Sequence, residues 1–110
     1  MAKNYSFYQD LAAELPEIPT DTTISRMIYD DDHIRVVVFG FAPGQELTEH
    51  TSAMAAILQI VQGEATLTLG ADSLEVAPGA WVRMAPNLPH SVKSKTEVVM
   101  LLTLIKGSGS

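Results

Sequence analysis

The sequence predicts an all-β domain, a two-sheet sandwich or barrel. Short runs rich in β-branched and aromatic residues recur along the chain. Pro, Gly, Asn and Asp separate them about every eight to twelve residues, a spacing typical of sandwiches and barrels. Long helical patterns between the runs, which a βαβ fold would require, are absent.

Residues 1–29 read as an arm preceding the barrel, and residues 30–106 as the barrel itself. Within the arm, Phe7, Leu11 and Leu15 recur at helical spacing, so a short helix from Ser6 to Leu15 is expected, with Ser6 as its cap. Pro16 and Pro19 end it. From Ile24 onward the pattern becomes strands. Residues 34–41 are rich in Val, Ile and Phe and stop at Pro43-Gly44. Residues 55–61 form a second apolar run closed by Gly63. Ala53, Ala55 and Ala56 favour a helix over 50–60, but Gly63 and the strand-rich neighbours favour extended chain. Residues 65–69 alternate apolar and polar, and Gly70-Ala71-Asp72 turns the chain into 73–76. Pro78-Gly79 precedes a strand at 80–84, which Pro86 and Pro89 end. Residues 98–105 form the last strand, apolar on both faces. Together with the apolar side of the arm, that strand predicts a homodimer, because open sheets need covering. Residues 107–110, Gly-Ser-Gly-Ser, read as a flexible linker or fusion scar.

The chain has 110 residues, enough for one domain with one core. It has no cysteine, which excludes disulfides, thiolate catalysis and cysteine-bound metals. Thirteen acidic residues against seven basic give a formal charge of −6. That balance opposes nucleic-acid and anionic-membrane surfaces. No apolar stretch approaches the roughly 20 residues of a spanning helix. The start of the chain lacks a signal-peptide core, so the expected location is the cytoplasm. The triplet Asn4-Tyr5-Ser6 matches a glycosylation acceptor by chance. P-loops, dinucleotide glycine fingerprints and nucleophile elbows are absent.

Two stretches carry the chemistry. In the first, Gly44 is followed after five residues by His50, then after one more by Ser52, after a further three by Ala56, and after six by Gly63. In the second, Gly79 leads to Ala85, Pro86 and Asn87, then to His90 and, after three residues, Ser94. Fifteen residues, Glu64 through Pro78, separate them. This pair of stretches resembles the two motifs of the cupins, and the likeness to small single-domain bacterial cupins covers roughly residues 30–105. The resemblance implies a small double-stranded β-helix, or jelly-roll, barrel. It also implies a metal site of three histidines and a glutamate. Here two of those four positions are filled, by His50 and His90; Ser52 and Ala56 stand at the others. Asn87 replaces a motif glycine, and asparagine tolerates the left-handed turn that position needs.

Residues 50, 52 and 56 share parity, so one extended strand would turn all three into the lumen, with His90 completing the site from another strand. Glu49, of opposite parity, should point away. Zinc, nickel, iron or manganese sites need about three protein ligands. His50 and His90 supply two, and Met54 offers at most a soft thioether. The smaller Ser52 and Ala56 leave space, and empty space costs about 24 cal/mol per Å3. It must be filled by side chains such as Phe39, Phe41, Met54, Trp81 and Met84, by water, or by a ligand.

The expected function is therefore binding of a small organic ligand in the lumen by His50, Ser52, Met54, Ala56, Trp81 and His90, beside an incomplete metal site. The alternative is a metal-dependent dioxygenase or isomerase that uses His50 and His90 with a reduced ligand set. A purely structural module is the third class. Each histidine also has an ordinary explanation, the satisfaction of a backbone carbonyl. His33 follows Asp30-Asp31-Asp32 in what reads as a solvated turn. Metal-free epimerases of this family pair a histidine base with a tyrosine acid, but Tyr5, Tyr8 and Tyr29 all precede the motifs.

Overall fold

The structure, a computed structural model, describes residues 4–108. The readings of residues 1–3 and of Gly109 and Ser110 lie outside the described residues. Among the described residues nine strands form two antiparallel sheets: β1 (Thr23–Asp30), β2 (Ile34–Phe41), β3 (Glu46–His50), β4 (Ala55–Gln62), β5 (Ala65–Leu69), β6 (Asp72–Val76), β7 (Trp81–Met84), β8 (His90–Ser94) and β9 (Val98–Ile105). One sheet has the order β1-β2-β9-β4-β7 and the other β3-β8-β5-β6. This is the expected all-β jelly roll.

Alternation decides what fills it. Phe41 on β2, Leu58 and Ile60 on β4, Met84 on β7 and Met100 on β9 meet Leu67 and Val92 from the other sheet in one buried cluster. The opposite parity of β9 (Val99, Leu101, Thr103, Ile105) lies on the outer face. There Val38 and Gly40 of β2 pair with Leu101 and Val99.

The arm departs from the expected helix. Among its described residues just Ala12–Glu14 form a 3-10 turn, with Leu11, not Ser6, at the N-cap position and no side chain capping it; Asp10 Oδ1 accepts from the Ala12 amide at 3.1 Å from one residue further out. Phe7 is 72% exposed, so the helical spacing of its apolar residues does not correspond to a buried face. The segment instead crosses the outer face of β2. A side chain at Gly40 would collide with Leu15 Cδ1 (2.9 Å) and Ile18 Cδ1 (2.7 Å), which explains a glycine inside a strand. The Tyr8 hydroxyl donates to the Ile28 carbonyl at 2.7 Å, at a bulge of the edge strand β1. Strand β1 starts at Thr23 and so takes in the last seven residues of the segment read as an arm. At the other end, Ser108 Oγ accepts from the Ala55 amide at 2.9 Å, so the first half of the tail is tied to β4. Among the described residues no helix is long and apolar enough to cross a membrane.

Candidate functional site

His50 and His90 come together across the β3–β8 pair, where their Cα atoms are direct partners. On β8, His90, Val92 and Ser94 alternate inward and are buried. On β3, Leu47 pairs with Val92 and His50 with His90. Leu47 and His50 are three residues apart, so a regular strand would turn them to opposite faces. The register shifts between them, with one extra residue on β3, and this bulge brings His50 back to the inner face. The expected common strand for residues 50, 52 and 56 does not exist. The chain leaves β3 after His50 and re-enters sheet only at Ala55. His50 reaches the site by the bulge, not by the parity the sequence suggested.

The two rings touch edge to face, with centroids 4.1 Å apart. Each Nδ1 lies 2.8 Å from the carbonyl two residues earlier, Thr48 for His50 and Leu88 for His90. A carbonyl only accepts, so each Nδ1 carries the hydrogen. In the neutral ring Nε2 then holds a lone pair. Among the described residues no protein group bonds either Nε2. His90 is buried, 6% exposed, whereas His50 is exposed, so the pair stands at the barrel mouth on one face, with the His90 ring covered and the His50 ring open to solvent.

The other motif positions take structural roles. Ser52 Oγ accepts from the Met54 amide at 3.2 Å, and its carbonyl accepts from the Asn87 amide at 2.7 Å. Asn87 adopts φ 66°, the left-handed conformation expected of it. Ala56 is buried, with Met84 and Leu104 as its neighbours on either side in the sheet. Met84 is 1% exposed, so side chains occupy the space a larger residue at 56 would take. Met54 is half-buried in the connecting loop. Trp81 is 59% exposed, three residues along β7 from Met84. It borders an apolar slot of about 100 Å3 with Leu58, Ile60 and Leu67, which neither imidazole lines. Of the six candidate residues, then, the structure joins His50 to His90, places Ser52 and Met54 in the adjoining loop and Ala56 in the core, and sets Trp81 in a different pocket.

Sequence reasoning gave Ser94 no role. It is 2% exposed, its Oγ donates to the Ala42 carbonyl at 2.7 Å, and it accepts from the Gln45 amide at 2.9 Å. It thereby anchors the turn leading into β3, and so the strand that carries His50. A polar residue at inward parity on β8 was the available signal.

The donor set does not fit the metal site of the fold family. Two imidazoles face each other, a turn amide engages the Ser52 hydroxyl, and Ala56 has no donor atom. Among the described residues no three His, Cys, Asp or Glu side chains cluster closely enough to hold an ion.

Comparison with known proteins agrees with the fold. The cupin-domain family profile matches residues 37–105. A conserved protein of unknown function from Streptococcus pyogenes superposes with a TM-score of 0.81 at 28% identity, over 94% of this chain and 90% of that one. A cupin superfamily protein from Desulfitobacterium hafniense gives 0.80 at 20% identity, over 96% and 94%. KdgF from Halomonas sp. gives 0.68 at 20% identity, over 74% and 77%. No curated protein is significantly similar to the chain in sequence. The matched profile spans more than half of the sequence, and the chain belongs to the cupin domain family.

Proposed function

We propose that the barrel binds a small polar organic molecule at its mouth through His50 and His90, without a resident metal. The observation that carries this reading is the imidazole pair. Two rings in contact, each fixed through Nδ1 to a backbone carbonyl, present Nε2 as the remaining hydrogen-bonding atom. Such a pair suits a ligand with hydroxyl or amide donors, held against the apolar side chains around the mouth. Leu47, Leu69 and Leu88 pack on the core at this end. Ser94 and the β3 bulge are the positioning elements.

The test is a titration of the full chain with small polyols, hydroxy acids and amides, followed through the side-chain 1H–15N signals of His50 and His90. At least one compound class should shift both sets of signals saturably. His90→Ala should weaken that binding about tenfold or more, the effect of removing one good hydrogen bond to a buried partner. A panel that leaves both imidazoles unmoved, or a His90→Ala protein that binds equally well, would sink the proposal.

A further inference from the structure

The protein has three tyrosines, and all three line one cavity far from the motifs in sequence. It holds about 650 Å3 and lies between the N-terminal arm and the β1–β2 hairpin. Ile34 and Val36 form part of its wall. They share the parity of Val38 and Gly40, so the cavity opens on the outer face of the sheet, away from the barrel mouth. Its volume falls within the range of small-molecule sites, about 300–1,000 Å3.

Among the described residues that line it, Asp31 is the charged group, beside the neutral side chains of Asn4 and Ser6. Tyr29 donates its hydroxyl hydrogen to Asp31 Oδ2 at 2.7 Å. Asp31 Oδ1 accepts from the backbone amides of His33 (2.7 Å) and Ile34 (2.8 Å). The Ile34 amide, the Tyr29 phenol and the His33 amide, in that order, lower the carboxyl to about 2, so Asp31 is an anion at any ordinary pH. Tyr8 has given its hydrogen to the Ile28 carbonyl. The phenol oxygens of Tyr8 and Tyr29 therefore offer lone pairs, not donors. Among the described residues that line the cavity, none carries a positive charge. Lys106 is bound nearby to Asp30 Oδ1 and the Asp31 carbonyl, both at 2.6 Å, but it is not in the lining.

An anion would meet the Asp31 carboxylate and the negative faces of aromatic rings. A cation with an apolar periphery would meet a carboxylate, three aromatic side chains and the aliphatic wall of Ile34 and Val36, with no competing cation in the lining. We infer that the cavity formed by Tyr5, Tyr8, Tyr29 and Asp31 is a second binding site, for a small organic cation of the alkylammonium class. It is separate from the imidazole pair and does not depend on the reading of the barrel mouth.

Choline and its uncharged carbon analogue 3,3-dimethylbutan-1-ol are suitable probes, because they differ in charge but scarcely in shape. Both would be titrated into the full chain at fixed ionic strength, with the ring signals of Tyr8 and Tyr29 as readout. Choline should shift both rings saturably, and the alcohol should bind about tenfold more weakly, the difference expected of a cation over aromatic faces. Asp31→Asn keeps an acceptor for the turn amides but removes the charge, and should weaken choline about fivefold. His90→Ala should leave choline binding unchanged. Equal affinity for choline and the alcohol would overturn the inference, as would choline binding that His90→Ala abolishes. Should Asp31→Asn fail to fold, the comparison of the two probes on the wild-type chain decides alone.

Discussion

Gly63→Ala is expected to destabilise the protein by about 2–5 kcal/mol, combining left-handed strain with overpacking against backbone. Gly63 has φ 84°, which side chains rarely adopt. A Cβ there would run into the Glu97 carbonyl oxygen and lie 3.0 Å from Thr96 Oγ1. The clash cannot relax cheaply, because the two turns are laced together. The Glu64 amide donates to Thr96 Oγ1 at 3.0 Å, and the Lys95 amide donates to the Glu64 carbonyl at 2.9 Å. Gly79→Ala is the control. Gly79 has φ 97° but nothing within 4 Å of its Cβ position, so only the strain remains, about 1 kcal/mol. Urea unfolding of both variants checks the contrast. Equal losses would show that the Glu97 contact does not constrain this turn.

Phe41→Ala should cost about 3–5 kcal/mol, the usual loss for truncating a fully buried phenylalanine. Phe41 is 0% exposed, in the cluster shared by both sheets, with the Phe39 ring centroid 6.2 Å away. At about 4 °C or more per kcal/mol for a domain of this size, the melting temperature should fall by more than 10 °C. Trp81→Ala, although it removes a larger side chain, should cost less than about 1 kcal/mol because that ring is mostly solvated. Thermal melts of the two variants should rank in that order. The reverse ranking would mean that the core lies elsewhere.

Strands with clean boundaries were legible from composition. Ile34–Phe41, Ala65–Leu69 and Val98–Ile105 fall where β-branched runs end in turn residues. The two histidines were legible as a pair because the motif spacings set them apart. Their route into contact was not, since a β-bulge depends on cross-strand pairing and leaves no local mark between Leu47 and His50. The arm was misread as helix for a related reason. Its apolar residues recur at helical spacing, but Leu15 and Ile18 are placed by contact with Gly40, a residue more than twenty positions later. Contact with the β2 sheet overrides the local preference of a short segment. The tyrosine cavity was hidden similarly. Tyr29 lies 21 residues beyond Tyr8, and only the β1–β2 hairpin folding under the arm brings them to one wall.

The central claim is that His50 and His90 work as an imidazole pair for an organic ligand and not as the remnant of a working metal centre. Metal analysis of the untagged full chain tests it most directly, combined with titration of zinc, nickel, iron(II) and manganese(II) into wild type and a His50→Ala, His90→Ala double variant. The account predicts substoichiometric metal after purification, and binding no tighter than a two-imidazole site allows. Stoichiometric, submicromolar binding that the double variant abolishes would contradict it, and would restore the metal-dependent enzyme as the better reading.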